Sequence, residues 1–148
     1  MTNKTFDSLG LNVKTLGAIK NINYLAPMPV QGEVIPLILR GKDALVSAQT
    51  GSGKTAAFTI PLLDILTRNE DAKCLVVAPT RELAQQIQAV FRELAQGSEI
   101  KNALIVGGKM MVGQLKKLKM NPRFIIGTPG RLNDHIKRKS LDLSQTKY

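Results

Sequence analysis

Short apolar runs alternate with longer segments of helical spacing along most of the chain. Four runs are almost entirely apolar, which is typical of parallel strands that are buried on both faces. The pattern predicts strands at Ala44–Ser47, Cys74–Ala78, Ala103–Val106 and Phe124–Ile126.

The segments that follow these runs repeat apolar residues at intervals of three or four, as amphipathic helices do. Leu83, Ile87, Val90 and Leu94 form the clearest such stripe. The predicted helices are Lys54–Leu66, Arg81–Ala95, Met110–Leu118 and Arg131–Lys137. Successive β–α units predict an α/β fold, in which a parallel sheet is flanked by helices and joined by right-handed crossovers.

A separate helical region precedes the first predicted strand. Its helices are expected at about Asn12–Asn21 and Val30–Leu39, with a bend at Pro36 and an end at Gly41. The pattern therefore divides the chain into an N-terminal helical region, residues 1–41, and an α/β part, residues 42–148. The first region is expected to pack on the second and to serve a site there.

The composition fits a folded chain of about one domain. Of the 148 residues, 43% are hydrophobic and 22% are charged, and no apolar run reaches the roughly 18 residues of a membrane span. The N-terminus lacks the apolar core of a signal peptide. The single cysteine, Cys74, is expected in the core, so a disulfide framework is excluded and a cytoplasmic location is favoured. The single histidine, His135, lies in a basic helix and is expected at the surface.

The net charge of +10 is unevenly placed. Residues 109–148 carry ten Lys and Arg against two Asp and Glu, whereas residues 1–108 carry eleven against nine. Such a basic segment fits a polyanion, either nucleic acid or an anionic membrane surface, and it also fits a merely solvated basic surface. With no Trp, two Tyr and four Phe, an aromatic stacking platform is disfavoured, and any nucleic acid would be held through its phosphates.

A glycine-rich turn, AQTGSGKT at residues 48–55, joins the first predicted strand to the first predicted helix of the α/β part. Small residues let backbone amides converge on a phosphate, and the helix N-terminus adds partial positive charge. Lys54 can reach the β- and γ-phosphates, and the Thr55 hydroxyl can ligate Mg²⁺. Ala48 stands where the usual pattern has its first glycine. The sequence therefore predicts a nucleoside triphosphate site in which Lys54 and Thr55 are catalytic.

Three further turns follow the other predicted strands. In parallel sheets, ligands bind beyond the carboxyl ends of the strands, so these turns share an edge with the glycine-rich turn. Taken singly, each is an ordinary turn or helix cap. Together they present hydroxyls, amides and guanidinium groups that suit phosphate oxygens. The candidate residues are Pro79, Thr80, Arg81, Gly107, Gly108, Thr128, Pro129, Gly130 and Arg131.

The motifs AQTGSGKT, PTRELAQQ, GG and TPGRL resemble, in order and spacing, motifs I, Ia, GG and Ib of the DEAD-box RNA helicases, with the bacterial members most similar. YLAPMPVQ, at residues 24–31, resembles the Q motif that selects adenine in that family. Phe6 lies seventeen residues before Asn23, where the family has an isolated aromatic residue. The resemblance spans about Thr5 to Leu143 and implies a RecA-like P-loop sheet with an N-terminal helical Q-motif region.

The resemblance also implies residue roles. Gln31 would bind the adenine edge, and Phe6 would pack on the face of the base. ATP and Mg²⁺ would be held by the loop, with Thr55 as the metal ligand. The loop residues are Ala48, Gln49, Thr50, Gly51, Ser52, Gly53, Lys54 and Thr55. The nine candidates at the other turns would contact the sugar–phosphate backbone of RNA without sequence preference. Met28 and Asn23 depart from the common Thr and Gly of the Q motif, which weakens the expectation of adenine selection.

The sequence contains no Asp-Glu-Ala-Asp motif, and the acids after Arg131 are Asp134 and Asp142. We therefore expect a truncated first domain that ends before that motif and has little or no hydrolysis by itself. The alternative is a stand-alone nucleotide- or RNA-binding module without turnover. A small-molecule kinase is disfavoured because no acceptor pocket is indicated. A sheet without its next strands exposes an apolar edge, so self-association is expected.

Overall fold

The computed structural model describes residues 4–148, and within them the strands form a three-stranded parallel sheet. The strands are β1 (Cys74–Val77), β2 (Asn102–Ile105) and β3 (Phe124–Gly127). The central strand is β3, which pairs with β1 on one side and with β2 on the other. The predicted parallel α/β fold is confirmed, and three of the four predicted strands are present.

Every predicted helix is present, with ends within two residues of those expected. A short 3-10 helix at Phe6–Leu9 precedes them. The α-helices are α1 (Val13–Asn21), α2 (Pro29–Leu39), α3 (Lys54–Arg68), α4 (Arg81–Leu94), α5 (Met111–Lys119) and α6 (Pro129–Lys137). No helix in this described part of the chain is long and apolar enough to cross a bilayer.

The larger apolar core lies between the sheet and helices α1, α3 and α4. At its centre the rings of Phe91 and Phe124 stack with centroids 3.6 Å apart, so α4 is fixed directly on β3. Cys74 is buried in this core, as expected. A smaller core on the opposite face packs Ile105 and Ile125 against Leu132 of α6. Helices therefore cover both faces of the sheet, as a parallel sheet requires.

The predicted strand Ala44–Ser47 is wrong. Residues 42–49 have no regular secondary structure, and Leu45 is fully exposed. A strand persists only through hydrogen bonds to a neighbouring strand, and no residue in the 4–148 range pairs with this segment. The outer edge of β1 is instead bonded by the chain end, because the Leu75 amide donates to the Tyr148 carbonyl at 2.8 Å. The apolar run alone therefore does not produce a strand here, since it lacks a partner.

The N-terminal residues are anchored to α3 by one buried carboxylate. Asp64 is fully buried and accepts from the Asn12 amide at 2.7 Å and from Arg68 Nε at 2.5 Å. Arg68 also donates to the Gly10 carbonyl at 2.7 Å. Asn12 in turn caps α1 by accepting from the Thr15 amide. These bonds hold α1 against α3, the helix that begins at the glycine-rich loop.

Candidate functional site

The glycine-rich loop leads into the N-terminus of α3. Gly51 and Gly53 have φ values of 78° and 86°, in the left-handed region that glycine adopts without steric cost. Gly53 is the N-cap of α3, a helix of 15 residues. The first amides of α3 therefore open into the loop, where they can bind an anion.

Two polar side chains of this loop are suited to a phosphate. Lys54 Nζ donates to the carbonyls of Ala48 and Gln49, the latter at 2.7 Å, so the ammonium group lies inside the loop. The Ser52 hydroxyl is buried and has no hydrogen-bond partner among the described residues. Burying an unpaired hydroxyl costs free energy, and a phosphate oxygen would supply its partner. The Lys54 ammonium and the Ser52 hydroxyl therefore both lie within the loop that the sequence predicts to bind a triphosphate.

The Q-motif region contacts the loop directly. Gln31 is almost fully buried; its Oε1 accepts from the Met28 amide at 3.0 Å, and its Nε2 donates to the Gly53 carbonyl at 3.3 Å. A Cβ atom at Gly53 would lie 2.8 Å from Met28 Sδ. The N-terminus of α2 is therefore packed against the N-terminus of α3.

A cavity of about 750 Å³ lies at this junction, and we call it the glycine-loop cavity. Its lining joins the Q-motif region, the loop and one face of α4. The lining residues are Asn23, Tyr24, Leu25, Ala26, Met28, Gln31, Thr50, Gly51, Gly53, Lys54, Thr55, Ala56, Leu83, Gln86 and Val90. Ala48, Gln49 and Ser52 belong to the loop but do not line the cavity.

Phe6 lies apart from the glycine-loop cavity. It is 4% exposed and lines a separate cavity of about 240 Å³, which shares Tyr24 and Leu25 with the larger one. Sequence reasoning missed Leu83, Gln86 and Val90 as lining residues. Leu83 and Val90 do belong to the apolar stripe that the sequence shows on α4. In the structure they are half-buried and lie beside its core-facing residues, which leaves them able to line the cavity.

The turns after the strands surround a second cavity, of about 470 Å³, which we call the strand-end cavity. All of the candidates from these turns line it except Gly108 and Pro129. Two carboxylates that sequence reasoning missed, Glu82 and Asp134, also line it. Its lining residues are Pro79, Thr80, Arg81, Glu82, Gly107, Thr128, Gly130, Arg131 and Asp134.

Arg81 rests on the two glycines that follow β2. A Cβ atom at Gly107 would lie 3.4 Å from Arg81 Nη2, and one at Gly108 would lie 2.9 Å from Arg81 Cζ. Gly108 also has a φ of 74°. The left-handed conformation favours glycine at residue 108, and a side chain there would displace the Arg81 guanidinium.

Two helix N-termini face the strand-end cavity. Thr80 caps α4 by accepting from the Leu83 amide at 3.2 Å. Thr128 is the N-cap of α6, and its side chain makes no capping hydrogen bond, so its hydroxyl can bind a ligand. Helix N-termini and arginine side chains both favour phosphate.

Arg131 is held in place by three partners. Its Nη1 donates to the Lys109 carbonyl at 3.0 Å and lies 3.5 Å from Gln114 Oε1. Its Nε is 3.6 Å from a carboxylate oxygen of Asp134. The Arg131 side chain is 17% exposed, so the guanidinium reaches the cavity from a constrained position.

The prediction that His135 lies at the surface is wrong. Its side chain is fully buried, with Nε2 2.9 Å from Gln114 Oε1 and Nδ1 2.8 Å from Ser140 Oγ. Burial lowers the pKa of His135, and the charges of Arg131 and Arg138 lower it further, against an opposing effect of Asp134. The basic residues of α6 suggested a surface helix. His135 nevertheless lies three residues after the buried Leu132, on the same buried face of the helix.

Comparison with known proteins places these features in one family. Residues 28–148 match the family described as DEAD/DEAH box helicase. The chain is 46% identical over 143 residues to the ATP-dependent RNA helicase DeaD of Escherichia coli strain K12, covering 95% of this chain and 23% of that protein. It is 41% identical over 143 residues to the ATP-dependent RNA helicase CshA of Limosilactobacillus reuteri, covering 96% and 29%.

A solved structure gives the same result. The crystal structure of a DEAD box protein from the hyperthermophile Methanococcus jannaschii superimposes with a TM-score of 0.88 at 41% identity. The match covers 97% of this chain and 40% of that one. The chain thus spans well under half the length of the relatives it matches.

Proposed function

The chain belongs to the DEAD/DEAH box helicase family, and we propose that it forms the ATP- and RNA-binding part of an ATP-dependent RNA helicase. The observation that carries this proposal is the pair of cavities that both border the first turns of α4. One cavity contains the glycine-rich loop, and the other contains the arginines and helix N-termini of the neighbouring turns. An ATP-dependent RNA helicase needs ATP and RNA to bind close together, since nucleotide binding must change the affinity for RNA.

We assign ATP to the glycine-loop cavity. The amides at the start of α3 and Lys54 would hold the phosphates, and Thr55 would ligate Mg²⁺. The Ser52 hydroxyl does not line the cavity and would reach a phosphate only after the loop moves. When bound, Mg²⁺–ATP supplies the γ-phosphoryl group, and the metal neutralises charge on the phosphate oxygens. Gln31 lines the same cavity and would bind the adenine edge. Phe6 would reach the base only from its neighbouring cavity, next to Tyr24 and Leu25.

We assign RNA to the strand-end cavity. Arg81, Arg131, Thr128 and the amides beside Gly130 would bind phosphate oxygens, which gives binding without sequence preference. Pro79, Thr80, Gly107, Gly108 and Pro129 would shape the turns that present them. Glu82 and Asp134 would repel phosphates that approach off this path.

We propose that residues 1–41 serve the nucleotide site and that residues 42–148 carry the remaining RecA-like elements. Residues 1–148 alone would bind both ligands with little turnover, because their sequence lacks the acidic motif that positions metal and water in the family. We also propose a cytoplasmic location, where the single, buried Cys74 fits a reducing environment.

A pair of substitutions tests the two assignments. Lys54→Ala should weaken binding of a fluorescent ATP analogue and leave binding of a single-stranded oligouridine largely intact. Arg131→Ala should do the reverse and lower the log–log salt slope of RNA binding by about one, since one phosphate contact is lost. Lys14→Ala, which removes a charge from α1 outside both cavities, is the matched control.

Either substitution acting on both ligands equally would contradict the separation of the sites. Competition with ATP and GTP tests the role of Gln31, because equal binding of GTP would remove adenine recognition. Hydrolysis by residues 1–148 at a rate comparable with that of a full-length relative would overturn the proposal of weak turnover.

A further inference from the structure

A buried chain of hydrogen bonds lies beneath the strand-end cavity, between α5 and α6. Gln114 is 4% exposed and His135 is fully buried. Gln114 Nε2 donates to the Val106 carbonyl at 2.7 Å, Gln114 Oε1 lies 2.9 Å from His135 Nε2, and His135 Nδ1 lies 2.8 Å from Ser140 Oγ. Neither Gln114 nor His135 belongs to the motifs that suggested function.

The direction of each hydrogen bond in this chain follows from the Val106 carbonyl. That oxygen only accepts, so the Gln114 amide must turn its nitrogen toward Val106 and its oxygen toward His135. The Gln114 oxygen also only accepts, so His135 Nε2 carries a proton and donates it. In the neutral ring Nδ1 is then an acceptor for the Ser140 hydroxyl, whose other acceptor within reach is the His135 carbonyl at 3.1 Å. That carbonyl also accepts from the Ser140 and Leu141 amides, so the single hydroxyl proton is free to go to Nδ1. One tautomer of His135 satisfies every member.

The same Gln114 oxygen faces Arg131. It lies 3.5 Å from Arg131 Nη1, which also donates to the Lys109 carbonyl at 3.0 Å. The side-chain amide of Gln114 therefore contacts three groups: the backbone after β2, the imidazole of His135 and the guanidinium of Arg131. Apolar side chains of similar volume would stabilise such a position at least as well. A fully bonded polar chain instead fixes the orientation of its members.

We propose that Gln114 and His135 are positioning residues that hold the Arg131 guanidinium at the strand-end cavity in the orientation that binds an RNA phosphate. The proposal rests on the assignment of RNA to that cavity. His135 acts through Gln114 in its neutral Nε2–H form, and neither residue touches RNA.

The first test uses the unaltered protein, since the chain contains a single histidine. The ¹⁵N shifts of the imidazole, measured at pH 7.5, should show a protonated Nε2 and an unprotonated Nδ1. A protonated Nδ1 with a bare Nε2 would overturn the proposal, because Gln114 could then receive no hydrogen bond from the ring.

The second test is a double-mutant cycle on the affinity for a single-stranded oligouridine. Gln114→Leu keeps the volume and removes the amide, and His135→Phe keeps a ring without the donor. Each should weaken RNA binding by about three- to tenfold, as expected for loss of one hydrogen bond of ordinary net strength. In the Arg131→Ala background neither should weaken it further. Ser140→Ala, which leaves the Gln114–His135 bond in place, should have a smaller effect.

Binding of a fluorescent ATP analogue serves as the control for folding, and either of the two variants suffices if the other does not fold. Additive losses in the Arg131→Ala background, or unchanged RNA binding by a folded Gln114→Leu or His135→Phe protein, would overturn the positioning role alone. Unchanged RNA binding by Arg131→Ala would remove the assigned role of Arg131 and the positioning role with it. The cycle thus separates the two failures.

Discussion

The side chain of Gln31 donates a hydrogen bond to the main-chain carbonyl of Gly53 across 3.3 Å, which joins the N-terminus of α2 to the N-cap of α3. The other end of the same amide accepts from the Met28 backbone, so its orientation is fixed. Any movement of the glycine-rich loop must therefore be accommodated by the Q-motif region. This contact makes residue 53 a sensitive point for both.

Gly53→Ala should destabilise the protein and weaken nucleotide binding. The left-handed φ of 86° costs a residue with a Cβ about 1–2 kcal/mol. The added methyl group would also lie 2.6 Å from Gln31 Nε2 and 2.8 Å from Met28 Sδ, so the Q-motif contact must shift. Chemical denaturation and titration with a fluorescent ATP analogue measure the two effects.

Gly17→Ala is the matched control for that substitution. Gly17 lies inside α1 with nothing within 4 Å of its added Cβ, so alanine should stabilise the helix by about 0.5–1 kcal/mol. A Gly53→Ala protein as stable as the unaltered one, with unchanged nucleotide affinity, would show that the loop does not need its left-handed residue.

Gly108→Ala should weaken RNA binding and spare nucleotide binding. Its φ of 74° is unfavourable for a residue with a Cβ, and the guanidinium carbon of Arg81, 2.9 Å from an added Cβ, would have to shift. Arg81 would be displaced from the strand-end cavity, so RNA binding would lose about one phosphate contact. Oligouridine titration at several salt concentrations measures this loss. Gly113→Ala, on α5 with open space around it, should leave RNA affinity unchanged.

Asp64→Ala should destabilise the fold by about 2–3 kcal/mol, since it leaves the partly buried Asn12 amide and the Arg68 Nε–H without their acceptor. The loss should be smaller than for a fully buried pair because the Arg68 side chain is half-exposed. Urea denaturation measures it. Glu33→Gln, which removes an exposed ion pair with Lys4, should cause no measurable change, and equal losses from the two variants would contradict the anchoring role.

Much of this architecture could be predicted from local sequence, and the exceptions share a cause. Helix α4 was predicted well because its apolar period and its Thr80 cap are local signals. The strand at Ala44–Ser47 was wrong because pairing depends on a partner that a local pattern does not contain. The position of His135 was wrong for a similar reason: its buried Nε2 has its partner, Gln114, 21 residues away in the sequence.

The candidate site shows the same limit. The loop residues and the arginines carry local motifs, and most of them line one or the other of two separate cavities. The separate position of Phe6 and the acids in the strand-end cavity depend on packing between distant segments. Local motifs therefore suggest which residues to consider for a site, but they do not give the contacts that orient those residues.

Stability should decrease as the pH falls below about 6.5, the ordinary pKa of histidine. Burial and the charges of Arg131 and Arg138 lower the pKa of His135 in the folded state, so between the two pKa values the unfolded chain binds the extra proton. The free energy of unfolding therefore decreases as the pH falls from about 6.5 through the lowered pKa of His135. Below that pKa the contribution of His135 no longer changes with pH. Thermal melts between pH 7.5 and 5 measure the slope.

His135→Phe is the control for the pH effect, since the chain has no other histidine. Its stability should vary less over the same pH range, although its absolute value is lower. An equal slope in both proteins would mean that other groups cause the loss. The carboxyls of Glu33 and Asp142, whose pKa values are lowered by Lys4 and Ser144 respectively, act only at more acidic pH.

Val77→Lys should reduce self-association of residues 1–148. The Leu75 amide is bonded to Tyr148 on the outer edge of β1, and Val77, two residues further along, presents its amide on that same edge. Val77 is 54% exposed, which leaves an apolar strand edge available to a second copy of the chain. A lysine there should disfavour pairing, as charged residues do at natural sheet edges.

Val112→Lys, at an exposed apolar position on α5, is the control. Sedimentation velocity from micromolar to near-millimolar protein should show a dimer for the unaltered chain and the control, and a monomer for Val77→Lys. A monomer at every concentration for the unaltered chain would mean that Lys147 and Tyr148 already protect this edge.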